Sequence, residues 1–255
     1  MKKFRIGSAM VLAAATLLAG CGKMAATNYL VMGTDAKFPP FELREETKGA
    51  DVVGFDVEVA QAIAEQAGRP LKIVEMDFDR LLPALAEGQV DLVLAALSIT
   101  PERRALVDFS IPYYKATQVA LILAGGPVPE TKEDLKGMRT AAQAGTTGYA
   151  IAEDLTSAEN LRAVASPQAA AVDLMNSQVD LAILDEQPAI HLAARNPELM
   201  LLRPEFDEEF YGVAVRKGNT NLLETVNQVL GAISADGRYD QFVDRWLIRT
   251  EAEEQ

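Results

Sequence analysis

The chain has 255 residues, 49% hydrophobic and 24% charged, with 24 Lys and Arg against 37 Asp and Glu for a net charge of −13. These fractions belong to a folded protein and speak against wholesale disorder, a multi-span membrane protein and, through the acidic balance, a nucleic-acid binder. One Cys and one His exclude a disulfide framework and a multi-Cys/His zinc site.

The N-terminus reads as an export signal. Met1-Lys2-Lys3-Phe4-Arg5 is basic, 6–19 is apolar, and Gly20-Cys21 closes the run. The apolar stretch, about 14 residues, is short for a bilayer crossing. Leu18-Ala19-Gly20-Cys21 resembles the lipobox of bacterial lipoproteins, which implies cleavage before Cys21 and acyl chains, palmitate among them, on that residue. One chain gives only marginal membrane binding, so more than one is expected. Loss of 1–20 removes Lys2, Lys3 and Arg5, leaving 235 residues at net −16. Residues 21–28 then form a lipidated tether.

Regular patterning begins at Tyr29. Residues 29–33 form a short apolar strand ending at Thr34-Asp35. Phe55, Val59, Ala60, Ile63, Ala64 and Ala67 recur at helical spacing, and Gly68 and Pro70 stop that helix. Strand 71–75, helix 80–87 and strand 90–95 complete a β-α-β-α-β order, which favours a parallel sheet. A central strand, 119–123, and a Gly125-Gly126-Pro127 break precede a second alternation. It runs through strand 138–142, helix 148–154, strand 161–165, a helix capped by Ser166 with Pro167 at its first position, strand 179–184 and helix 188–194. Residues 210–216 read as one strand, helices 221–234 and 239–248 finish the fold, and 250–255 is an acidic tail. Gly88-Gln89-Val90-Asp91-Leu92-Val93-Leu94 is echoed by Ser177-Gln178-Val179-Asp180-Leu181-Ala182-Ile183. Two similar halves would bring the strand ends near Ser98 and Asp185 to one cleft.

Catalytic constellations are scarce. His191 lies on an expected helix as a surface or packing residue, and no second His or mature free thiol builds a triad. No phosphate-binding glycine loop follows a strand. Glu208-Glu209 reads as part of a solvated face. The stronger signal is Leu97-Ser98-Ile99-Thr100-Pro101-Glu102-Arg103-Arg104. Thr100 caps a helix with Pro101 at its first position, and Arg103 adds a guanidinium fork near free N–H groups, which suits an anion. The alternative is a surface Arg103 pairing with Glu102 or Asp108.

This stretch, with Val107-Asp108-Phe109-Ser110-Ile111-Pro112-Tyr113-Tyr114 after it, resembles bacterial extracellular solute-binding proteins of family 3, the amino-acid receptors of ABC importers. Other segments agree in order: Gly33-Thr34-Asp35-Ala36-Lys37-Phe38-Pro39-Pro40-Phe41-Glu42, Gly54-Phe55-Asp56-Val57-Glu58, Gly145-Thr146-Thr147-Gly148 and Leu184-Asp185-Glu186. The resemblance implies a type II periplasmic-binding-protein-like fold, two α/β lobes joined by a two-crossing hinge. Lobe 1 would be 29–116 plus 211–249, and lobe 2 117–210. It implies that Arg103 pairs with a ligand α-carboxylate, helped by the N–H groups of Ser98 and Thr147. Asp185 would take the α-ammonium, with the Ala96 carbonyl and Ser98 hydroxyl beside it. Phe38 and Phe78 would sandwich the ligand side chain, with Asp35, Asp56, Gln143 and the Thr146 turn near its polar end.

The implied function is reception of a polar or basic L-amino acid by a monomeric lipoprotein of the cell envelope, which uses no cofactor and hands its ligand to permease subunits. Dehydratases of the cyclohexadienyl type share the fold, but no added acid in the cleft is obvious from the sequence. A sensory lipoprotein is the other alternative.

Overall fold

In the computed structural model the described residues are residue 1 and 28–45, 51–126 and 128–248. The export signal, Cys21, all but the end of the expected tether and the 250–255 tail lie outside them. The first half of the chain runs β1 (Leu30–Thr34), β2 (Lys37–Phe38), β3 (Glu42–Arg44), β4 (Val52–Val53), α1 (Phe55–Gln66), β5 (Leu71–Glu75), α2 (Phe78–Ala86) and β6 (Leu92–Val93). It continues through α3 (Pro101–Leu106), β7 (Val107–Phe109) and the long β8 (Tyr114–Leu123). The second half comprises β9 (Thr140–Gln143), α4 (Thr147–Leu155), β10 (Leu161–Val164), α5 (Pro167–Met175), β11 (Leu181–Asp185), α6 (Glu186–Arg195) and β12 (Leu199–Leu202). It closes with β13 (Glu208–Tyr211), β14 (Ala214–Arg216), α7 (Thr220–Ala235) and α8 (Arg238–Val243), followed by a π turn, Asp244–Ile248. Among the described residues no helix is long and apolar enough to cross a membrane.

Two sheets organise these elements into two α/β lobes. The first has the order β5-β1-β6-β14-β7, the second β10-β9-β11-β8-β12, with β13 paired to β8. The expected parallel pairing holds for β5-β1-β6 and β10-β9-β11. Each sheet is mixed, however: β14 runs antiparallel to β6 and β7, and β8 antiparallel to β11 and β12. α1 lays Phe55, Val59, Ala60 and Ile63, all fully buried, into a core shared with Leu30, Met32 and Leu92 of the first sheet. Apolar residues at that spacing form one stripe of a helix, so burial selects the helix and fixes its face. The second sheet is covered on one side by Ala170, Ala171 and Leu174 of α5 and on the other by Ala152 and Leu155 of α4. Ser166 caps α5, its Oγ accepting from the Ala169 N–H at 3.2 Å.

The sequence echo has a structural counterpart. Gly88 and Ser177 both take positive φ, 76° and 55°, at corresponding positions. Asp91 N–H then donates to Val31 O at 2.8 Å, and Asp180 N–H to Arg139 O at 2.7 Å. The Asp91 carboxylate accepts from Val31 N and Arg69, and that of Asp180 is held by Arg139. In each half the repeated Asp locks the start of the neighbouring strand.

One expected element divides. Residues 210–216 are not a single strand: β13 pairs with β8, and β14 enters the first sheet. The break falls at Gly212, whose N–H donates to Leu97 O at 3.1 Å while an added Cβ would come within 2.8 Å of Ile99 Cδ1. Apolar alternation continues across Gly212, so hydrophobic periodicity carries no trace of the change of sheet. Strands β7 and β12, the early antiparallel β2-β3-β4 sheet and the first five residues of β8 are further additions to the expected pattern.

Candidate functional site

The site is built at the carboxyl ends of β6 and β11 and the starts of α3 and α4. After β6 the chain turns at Ala96, which has φ of 45°, a left-handed value uncommon outside glycine. Asp56, fully buried at the start of α1, holds this turn by accepting from Ala96 N–H at 2.8 Å. Tyr113 donates its hydroxyl to the same carboxylate at 2.8 Å. Ser98 faces Tyr211 in an isolated antiparallel bridge, flanked by Ile99 N–H to Phe210 O and Gly212 N–H to Leu97 O. In such a non-hydrogen-bonded pair the amide and carbonyl of Ser98 point away from β13.

Thr100 then caps α3, Oγ1 accepting from Arg103 N–H at 3.2 Å, with Pro101 first in the helix. Arg103 is buried, not a surface residue paired with Glu102 or Asp108. Its Nη1 donates to Ser98 O at 2.7 Å and its Nη2 to Gly145 O at 3.0 Å, one carbonyl from each lobe. The guanidinium carbon lies 5.4 Å from the centroid of the Phe78 ring. Gly145 has φ of 79°, and a side chain at that position would meet Asp79 and Phe78 of α2, so this turn of the second lobe lies near α2.

From the second lobe, Thr146 caps α4 by accepting from Tyr149 N–H at 3.1 Å and donates to Gln143 O at 2.8 Å. Thr147, the first residue of α4, directs its hydroxyl to Glu209 at 2.8 Å. Ser98 Oγ donates to the same oxygen of Glu209 at 2.6 Å. Asp185, buried at the end of β11, accepts from the Tyr211 hydroxyl at 2.5 Å. A second bridge between the lobes joins Gln143 Nε2 to Asp35 Oδ2 at 3.0 Å, with Lys37 Nζ 3.2 Å from Asp35 Oδ1 and 2.8 Å from Asp77.

Most of the expected residues gather in two groups, with Phe38 and Asp56 apart from them. Ala96, Ser98, Arg103, Thr147 and Asp185 surround the meeting point of α3, α4 and β11. Asp35, Gln143 and Phe78 lie along the seam between the lobes, and Phe38 is buried with its ring 6.3 Å from that of Phe41. Asp56 reaches the cleft through Ala96, since its carboxylate is bound to that amide and to Tyr113.

The sequence reading missed Glu209 and Tyr211. Glu208 is exposed and pairs with Lys115 at 2.5 Å, as a solvated face requires, but Glu209 on the next position turns inward. The signal was the strand period of two: Glu209 and Tyr211 share one face, Glu208 and Phe210 the other. Glu209 is also the acid in the cleft that was not obvious from the sequence.

Burial sets the electrostatics. Arg103 is lowered from its ordinary value by desolvation and supported by Glu209 and Asp185, and a guanidinium remains charged throughout. Burial, then Glu209, pushes Asp185 up to about 6 against hydrogen bonds from Tyr211 and Gln118. Asp56 is raised to about 7 by burial, opposed by Ala96 N–H and Tyr113. Glu42, wholly buried beside it, is pushed well above the carboxylate range by burial and by the Asp56 charge. Burial raises Asp35, and Lys37 opposes it. One buried cation and one buried anion from opposite lobes therefore act on each other across the seam, a charge pattern that suits a zwitterion. Among the described residues no cluster of three or more His, Cys, Asp or Glu is arranged to hold a metal.

Known proteins are similar to this chain over most of its length. The ABC transporter arginine-binding protein 1 of Escherichia coli (strain K12) is 33% identical over 222 residues, spanning 84% of this chain and 89% of that protein. An ancestral arginine-binding protein bound to arginine is 35% identical with a TM-score of 0.81, covering 86% of this chain and 98% of its own. A structure of an ancestral arginine-binding protein bound to glutamine also gives 35% identity and a TM-score of 0.81, over 86% and 97% of the two chains. With the family profile matching residues 30–249, the chain belongs to the bacterial extracellular solute-binding proteins, family 3.

Proposed function

We propose that the protein is the extracytoplasmic receptor of an ABC importer and binds one polar or basic L-amino acid between its lobes. The observation that carries this reading is Arg103, buried and hydrogen-bonded to a carbonyl of each lobe, facing the buried Asp185 of the second lobe. The ligand α-carboxylate joins Arg103 and the amides of Ser98 and Thr147. Its α-ammonium joins Asp185, the Ala96 carbonyl and the Ser98 hydroxyl. Such a ligand stabilises the joined lobes through contacts that separated lobes lack, and water exclusion strengthens each charged contact. Phe38 and Phe78 flank its side chain, whose polar end meets Asp35, Gln143 and the Thr146 turn, while Asp56 acts through Ala96.

Charge selects the side chain. Asp35, Asp185 and Glu209 face Arg103 and Lys37, and Lys37 is already shared between Asp35 and Asp77. A basic or amide side chain is matched and a second carboxylate is not. The names of the relatives, arginine-binding and glutamine-bound, support the same range. The lobes divide as 29–116 plus 211–249 and 117–210, the chain crossing at the start of β8 and the end of β13. A lipid anchor on Cys21 holds the receptor at the envelope beside its permease.

Thermal-shift screening of the protein from residue 22 onward against the twenty amino acids tests the assignment. Stabilisation by arginine, lysine, histidine or glutamine is expected, and stabilisation by aspartate and glutamate alone overturns it. Because Glu209 supplies an acid in the cleft, prephenate is assayed alongside. It is expected to remain unconverted, and its conversion to phenylpyruvate would assign a dehydratase.

A further inference from the structure

Glu209 lies where three separate segments meet. It comes from β13, one of the two strands linking the lobes, and its Oε2 accepts from Ser98 of the first lobe and Thr147 at the start of α4. Among the described residues nothing donates a hydrogen bond to its Oε1. Tyr211, two residues on and on the same face of β13, carries its hydroxyl to Asp185. One face of β13 therefore carries Glu209 and, through the Tyr211 hydroxyl, holds Asp185, and the Glu209 charge raises the cost of charging Asp185. Arg103 attracts both, but its guanidinium hydrogen bonds go to the Ser98 and Gly145 carbonyls. Two close carboxylates with one oxygen still open form a seat for a second cation.

We infer that Glu209 contacts the ligand and, with Asp185, forms a two-carboxylate seat for the α-ammonium of the bound amino acid. The inference rests on the amino-acid-receptor reading and adds a residue to it. The Ser98 hydroxyl, a proposed partner of the ammonium, lies 2.6 Å from Glu209 Oε2, which puts that carboxylate in the ammonium's immediate surroundings. Glu209 then favours α-amino acids over the same side chain on a plain carboxylic acid.

The test is an NMR titration of wild type and Glu209→Gln, carried to tens of millimolar so that weak binding is read. The probes are L-arginine against 5-guanidinopentanoate, and L-glutamine against 4-carbamoylbutanoate. The amide preserves the size of Glu209 and an acceptor for both hydroxyls. The expected result is about a tenfold or greater loss for the α-amino acid, the scale of one charge-assisted contact, with the deaminated partner changed by less than about twofold. An equal loss for both members of a pair would assign Glu209 a structural role, and tighter binding in the variant would make it an internal competitor for the site. Either result overturns the inference while leaving the receptor reading intact. Wild type that binds neither amino acid overturns both.

Discussion

At the residue scale the proposed site places few charges in dry surroundings. Asp185 is raised to about 6 by burial and by Glu209, so unliganded protein takes up a proton there as the medium turns acid. An α-ammonium requires the charged form. Affinity is therefore expected to be level above about pH 7 and to fall towards tenfold per pH unit below about pH 6, with proton release on binding in that range. Calorimetry in two buffers of different ionisation enthalpy reads that release directly, and binding independent of pH between 5 and 8 would remove Asp185 from its role. Asp56 behaves differently because it touches the site through Ala96. Its folded value of about 7 lies above the ordinary 3.8, so between those limits the native state holds a proton that the unfolded chain has lost. Its contribution to stability is fully present at acid pH and declines as pH rises through about 7. The stability advantage of wild type over Asp56→Asn is accordingly expected to be larger at about pH 5 than at about pH 8 in urea unfolding followed through Trp246. The same variant is expected to weaken amino-acid binding by about tenfold by loosening the Ala96 turn.

At the element scale the decisive segment is the passage from β13 through Gly212 to β14. β13 pairs with the start of β8 in register, Tyr211 opposite Tyr114, and Gly212 then slips past Ile99 into the first sheet. Gly212→Ala places a methyl group where Ile99 must yield. It is expected to cost about 1–3 kcal/mol in urea unfolding and to weaken binding by displacing Tyr211 and Glu209. Unchanged stability and affinity would show that Ile99 relaxes freely. This segment also marks what sequence could carry. The β1, α1 and β5 spans were legible because each has a clear apolar period and glycine or proline punctuation. The α3 and α5 starts were legible because Thr100-Pro101 and Ser166-Pro167 are cap chemistry. The split at Gly212 was not, since apolar alternation continues across a change of sheet. Glu209 was hidden for a related reason: in an acidic chain a Glu-Glu pair looks solvated until the strand's partner shows which side faces in.

At the scale of the whole molecule, two halves with the same strand–helix logic face one another, each locked by its own Asp at the same place in the repeat. They meet through side chains that cross between lobes, Arg103 to Gly145 and Gln143 to Asp35. The fold explains why the cleft is polar while both cores are apolar: strand ends and helix starts converge there, and each brings unpaired backbone groups. It also explains why the proposed recognition rests on so small a set of residues. The net charge of −13 is spread over the chain, whereas the cleft rests on one buried cation. Calorimetric titration of L-arginine and L-glutamine into wild type and Arg103→Ala tests that dependence most directly. One-to-one binding of at least one of them to wild type is expected, with a loss of about 30-fold or more in the variant, because a buried carboxylate then lacks its partner. Equal affinity in the two proteins would contradict it.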